Sequence, residues 1–183
     1  MFGPPEEEAL RTIVPTENIE AVMRDYLHFY RANHSRLARL HPGILEILDR
    51  LRREGTLVAL FTGKGTRTTR ISLEECQIEK FFQFVVSGND VLAHKPSGEG
   101  IRKILQKFQL EPEDVLMVGD SVADILSARD AGVRIASVLW DSISRKEVIE
   151  LMPDFVFDSV PELLEFFFAP DLLDSLPGNA LQR

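Results

Sequence analysis

One cysteine, one tryptophan and two tyrosines are all that this 183-residue chain holds of those types. The lone Cys76 excludes an internal disulfide and fits a reducing compartment, so the cytoplasm is the expected location. Bases are short as well: 21 lysines and arginines face 29 acids, a net charge of −8. Nucleic acid and anionic membranes favour basic surfaces, so neither is an expected partner. A small phosphorylated metabolite remains open, because a few cations and a metal at one site can offset the overall sign. No apolar run is long enough to span a bilayer, and Met1–Glu8 has neither the basic start nor the apolar stretch of a signal peptide. What the chain does have is 44% apolar residues, enough for the core of one ordinary domain.

Up to about residue 40 the pattern is helical only. Glu6–Val14 reads as a short amphipathic segment stopped by Pro15, and Thr16 is placed to cap a longer helix running toward Leu37. After Pro42-Gly43 strands and helices alternate. Helices are expected over Ile44–Arg53, Arg67–Cys76, Gly100–Phe108, Val122–Asp130, Arg145–Leu151 and Pro161–Phe167. Strands are expected over Leu57–Phe61, Phe84–Val86, Val115–Val118, Val133–Leu139 and Phe155–Phe157. This alternation predicts an α/β fold, a doubly wound, mostly parallel sheet with helices on both faces. The expected organisation is a helical segment at 1–40, an α/β core at 41–168 and a fraying tail at 169–183 that holds Pro170, Pro177 and Gly178.

Three short segments carry chemistry. Val115–Val118 ends at Gly119-Asp120-Ser121, and a helical pattern starts at once with Asp124 in its first turn. A buried strand would deliver Asp120 to the carboxyl edge of the sheet, where helix capping and a Mg²⁺ site are equal readings of the two acids. Ser121 suits a capping hydroxyl better than a nucleophile, since no histidine is placed to serve it. Leu57–Phe61 ends at Thr62-Gly63-Lys64-Gly65-Thr66, a turn able to offer backbone N–H groups to an anion or to be simply a capped loop. It is not a Walker loop, because the glycine spacing is absent and Lys64 is followed by glycine. Lys95-Pro96 lies between these two segments in chain order, where a fixed cation could balance a phosphate.

In that order, Thr62, then Lys95-Pro96, then Gly119-Asp120-Ser121 with Asp124 resemble motifs II, III and IV of the haloacid-dehalogenase-like (HAD) phosphohydrolases. The resemblance runs from about Pro42 to Leu139 and is nearest to the phosphoglycolate-phosphatase-like branch, whose helical cap domain the opening Phe2-Gly3-Pro4-Pro5 and its helices resemble in its later part. It implies a Mg²⁺-dependent phosphohydrolase that acts on a small phosphomonoester through an aspartyl-phosphate. Thr62 and the Gly63 N–H would hydrogen-bond the phosphoryl group, and Lys95 would steady its oxygens and the nucleophile. Asp120 would ligate the metal, with Asp124 binding the metal or its waters.

One part of that pattern is missing. The family begins with a strand ending in Asp-x-Asp, which supplies the nucleophile and the acid/base, and no Asp-x-Asp occurs in this chain. The implied position of that strand is the middle of the sheet, between the strands that start near Leu57 and Val115. The expectation is therefore an N-terminally incomplete chain, inactive alone, with open sheet edges through which it could dimerise. A non-catalytic descendant that binds a phosphate compound or a partner is the alternative. A receiver-type phosphoacceptor domain would need an acidic pair after its first strand, which the chain lacks.

Overall fold

The structure, a computed structural model, describes residues 4–169. The expected fraying tail therefore lies, from residue 170 onward, outside the described residues. The chain divides into two compact units, residues 1–94 and 95–183.

The first unit holds α1 (Glu6–Arg11), α2 (Ile19–Leu37), α3 (Ile44–Arg53), β1 (Ala59–Phe61), α4 (Thr66–Glu75) and β2 (Phe84–Val86). Helix α2 buries Ile19 and Met23, one turn apart on a single stripe, and packs on α4. Tyr30 of α2 meets Ser72 of α4 at 2.9 Å, and Arg31 pairs with Glu74 at 2.7 Å and Glu75 at 3.3 Å. Thr16 does not cap this helix. Pro15 opens a 3-10 turn over Thr16–Asn18, and the α-helix starts only at Ile19. Strands β1 and β2 pair in parallel, Leu60 opposite Val85. β1 is two residues shorter than expected because the Val58 N–H is taken by the Gln83 side chain rather than by a strand partner.

The second unit holds α5 (Glu99–Phe108), β3 (Leu116–Gly119), α6 (Val122–Ala131), β4 (Arg134–Val138), α7 (Arg145–Glu150), β5 (Phe155–Phe157) and α8 (Val160–Phe168). Its sheet has the order β3-β4-β5, all parallel, with Gly119 opposite Ser137. Central β4, against which α6 packs, buries Ile135, Ala136 and Ser137 almost completely, and α6 buries Ile125 and Ala128. Each large apolar side chain removed from water here contributes about 1.5–3 kcal/mol. At the other edge the ring of Phe166 in α8 packs 4.8 Å from that of Phe155 and 5.0 Å from that of Phe157.

The fold is thus α/β with every strand pair parallel. Among the described residues β1 pairs only with β2, and β3 only with β4. Each therefore keeps one edge without a strand partner among the described residues.

Candidate active site

The sequence Gly119-Asp120-Ser121-Val122-Ala123-Asp124 folds as a strand end running into a capped helix. Ser121, not Asp120, is the N-cap of α6. Its hydroxyl accepts from the Asp124 N–H, and the Asp124 carboxylate accepts in return from the Ser121 N–H at 3.0 Å and Oγ at 2.7 Å. Asp124 Oδ2 also accepts from the Asp120 N–H at 3.2 Å. A carboxylate can curl back under the strand end in this way only beside a glycine. A Cβ on Gly119 would stand 2.5 Å from Asp124 Cβ.

The other oxygen of Asp124 faces Lys95. Nζ lies 2.8 Å from Oδ1, and the two side chains are 17% and 8% exposed, so this is a largely buried ion pair. Burial works against the charge on Asp124. The Lys95 ammonium and the Ser121 hydrogen bonds outweigh it and hold the carboxyl below the ordinary aspartate range. The segment carrying Lys95 is itself pinned: the Gly98 N–H donates to Asp130 Oδ2 at 2.7 Å, and Arg102 grips the same carboxylate at 3.2 Å. The Lys95–Pro96 bond is cis, and α5 begins at Glu99, one residue before the expected Gly100.

Asp120 is different. Its residue is exposed, and its carboxylate forms no ion pair among the described residues. Loss of solvent around the carboxyl, then the Asp124 charge, and more weakly that of Asp141, push it above the ordinary range. Its main-chain carbonyl is held by Ser142 Oγ at 2.6 Å. Asp141 and Ser142 carry no local motif in the sequence. Both sit in the loop after β4, so their proximity to Asp120 is a product of strand order that no local spacing encodes.

Thr62 and Gly63 lie in the first unit, in the turn after β1. The Thr62 N–H donates to the Val86 carbonyl, and Thr62 Oγ1 accepts from the Lys64 N–H at 3.2 Å. That bond engages one of the two lone pairs of the hydroxyl and leaves its hydrogen to donate. Lys64 turns its ammonium to Tyr30 OH at 2.9 Å and Ser72 Oγ at 3.3 Å. Lys95, Asp120 and Asp124 are thus brought together in one unit, and Thr62 with Gly63 in the other.

Among the described residues no group of three or more His, Cys, Asp or Glu could hold a metal ion. The acids present still suit one kind of ion. Asp120 is a carboxylate with no direct ion pair among the described residues, crowded by the charges of Asp124 and Asp141, and Mg²⁺ needs only one or two carboxylates when water and phosphate oxygens complete its shell. No helix among the described residues is long and apolar enough to cross a membrane.

The profile of haloacid dehalogenase-like hydrolases matches residues 1–138, which is most of the chain, and the chain belongs to that family. It is a hydrolase of the phosphatase-like branch. Pyrophosphatase PpaX of Anoxybacillus flavithermus is 31% identical over 163 residues, covering 89% of this chain and 75% of that protein. Pyrophosphatase PpaX of Bacillus thuringiensis (strain Al Hakam) is 30% identical over 151 residues, 82% of this chain and 70% of that one. Among solved structures, a predicted phosphoglycolate phosphatase from Haemophilus somnus aligns with a TM-score of 0.74 at 25% identity, covering 85% of this chain and 69% of that one. CbbY from Rhodobacter sphaeroides, solved with phosphate, gives a TM-score of 0.74 at 20% identity over 88% and 76% of the two chains, a likeness of fold alone.

Proposed function

We propose that this chain carries the phosphoryl- and Mg²⁺-binding residues of a phosphohydrolase for small phosphomonoesters of the phosphoglycolate kind. The observation that supports it best is the division of labour between two acids four residues apart. Asp124 is spent on Lys95 and Ser121, while Asp120 forms no direct ion pair among the described residues and is crowded by Asp124 and Asp141, with only a weaker pull from Lys95. Asp120 is the direct metal ligand in this reading, and Asp124 reaches the metal's waters through its remaining lone pairs. When bound, Mg²⁺ withdraws charge from the phosphoryl oxygens.

Lys95 supplies the fixed cation for the same oxygens, already oriented by Asp124. Thr62 donates its hydroxyl, and Gly63 its N–H, to the phosphoryl group. None of these is an in-line nucleophile, and no Asp-x-Asp stands in the sequence to form the aspartyl-phosphate. The 183 residues alone therefore bind but do not turn over. The alternative, a permanently non-catalytic binding protein, is favoured by the same missing pair. The single cysteine fits a cytoplasmic setting.

Inorganic pyrophosphate is the second substrate reading, favoured by the pyrophosphatases among the relatives. A panel of phosphoglycolate, sugar phosphates, nucleotides and pyrophosphate, assayed with Mg²⁺ on the chain alone and on the chain fused to a strand ending in Asp-x-Asp, tests all of this. The expected outcome is no useful turnover alone and hydrolysis of small phosphomonoesters by the fusion. Hydrolysis of pyrophosphate only would replace the substrate assignment. Robust turnover by the chain alone, abolished in Asp120→Asn, would overturn the claim that it lacks a nucleophile.

A further inference from the structure

Three glutamates open α1 and have no part in the motifs, yet each meets a different partner. Glu7 pairs with Arg11 at 2.7 Å, and Glu8 lies 3.1 Å from His94 Nε2. Glu6 goes to the turn after β1: Oε2 accepts from the Gly65 N–H at 2.7 Å and Oε1 from Thr68 Oγ1 at 2.8 Å. Thr68 is wholly buried, and a Cβ on Gly65 would lie 2.7 Å from Glu6 Oε2, so the glycine is what lets the carboxylate in. Pro5 just before it is also fully buried, close enough to Gly88 that a Cβ there would stand 2.6 Å from the proline ring. Pro5-Glu6 is thus wedged between two turns, one carrying Thr62 and the other Gly88. The second turn also grips the first, since the Gly88 N–H donates to the Lys64 carbonyl at 2.8 Å.

The peptide of Lys64 is therefore fixed from both sides, by Gly88 at its carbonyl and by Glu6 through the next N–H. The N–H of the same residue orients the Thr62 hydroxyl. We propose that Glu6 is a positioning residue for phosphoryl binding: by fixing the Thr62–Thr68 turn it holds the Thr62 hydroxyl and the Gly63 N–H in their donating geometry. The proposal rests on the reading that this turn binds the phosphoryl group. A negative charge beside an anion-binding turn opposes binding unless it is fully engaged, and here two donors engage it. Position thereby outweighs repulsion.

The test is calorimetric titration of inorganic phosphate, with Mg²⁺ present, into the 183-residue chain and its variants, with thermal melts alongside. Glu6→Ala is expected to weaken phosphate binding by about tenfold, the scale of one charge-assisted hydrogen bond. Glu6→Gln keeps a carbonyl acceptor for the Gly65 N–H, while its amide donates to Thr68 Oγ1, whose hydrogen still has the Gly65 carbonyl, so it should stay within about threefold of the parent. Gly65→Ala, which pushes the carboxylate off without altering it, should match Glu6→Ala and replaces it if that variant does not fold. Unchanged affinity in Glu6→Ala and Gly65→Ala would overturn the positioning role and leave the phosphoryl-binding reading standing. Tighter binding in Glu6→Gln would overturn it too, by showing that repulsion outweighs position. No phosphate binding by the parent chain would overturn the phosphoryl-binding reading, and the role of Glu6 with it.

Discussion

Lys95 Nζ lies 2.8 Å from Asp124 Oδ1, with both side chains mostly shielded from water, so removing Lys95 leaves a largely buried carboxylate without its cation. Lys95→Ala should destabilise the fold by about 3–5 kcal/mol, the range for breaking a buried pair from one side. Urea unfolding at neutral pH measures it.

The same pair sets a pH dependence. The folded-state pKa of Asp124 lies below its unfolded value, so its contribution is fully present above the unfolded carboxylate pKa, near pH 4. It is lost as pH falls through the folded pKa. Urea midpoints of the parent should drop through that acidic window, and those of Asp124→Asn should drop less.

Asp120 has the opposite sign. Its raised folded pKa means that the folded state holds the proton more tightly, so stability declines as pH rises from the ordinary aspartate value through the raised one. Asp120→Asn should therefore melt at a higher temperature than the parent at neutral pH. The gap should close on acidification through the same window. An unstable Asp120→Asn would show that the residue is structural rather than a site acid held against its preference.

Ser121 and Gly119 support Asp124 from either side. Ser121→Ala removes the cap of α6 and one donor to Asp124 Oδ2, a loss of about 1 kcal/mol. Gly119→Ala should cost more, because its Cβ meets the Asp124 side chain and forces it off Lys95. Thermal melts of the two variants should rank in that order.

Among the described residues β1 and β3 each keep an edge with no strand partner, which other chains could join. Gel filtration should show association that grows with protein concentration. Val118→Lys, at a half-exposed position of β3, should reduce it, since edge lysines discourage strand addition.

Much of this was legible in the sequence because it is local. The run Val115–Val118 followed by Gly-Asp-Ser and an acid in the first turn specifies a strand end, a cap and two carboxylates within ten residues. The expected helix Ile44–Arg53 and strands Phe84–Val86 and Phe155–Phe157 match residue for residue. What escaped is non-local. Glu6 meets a turn 59 residues away, Ser142 meets Asp120 across 22 residues, and Asp130 meets Gly98 across 32. Nothing in the spacing of a glutamate after two prolines distinguishes a solvated helix start from a clamp on a distant loop. The role of Asp124 was only half visible, since its sequence position gives the cap but not which of Lys95 and a metal takes its second oxygen.

Asp120 is proposed as a metal ligand beside the Lys95–Asp124 pair, and titration of Mg²⁺ into the 183-residue chain and into Asp120→Asn decides the matter. The expected result is weak but saturable binding to the parent that disappears in the variant, whose shape is nearly unchanged and whose charge is one unit less negative at that point. Equal Mg²⁺ affinity in the two proteins would contradict the claim and remove Asp120 from the site.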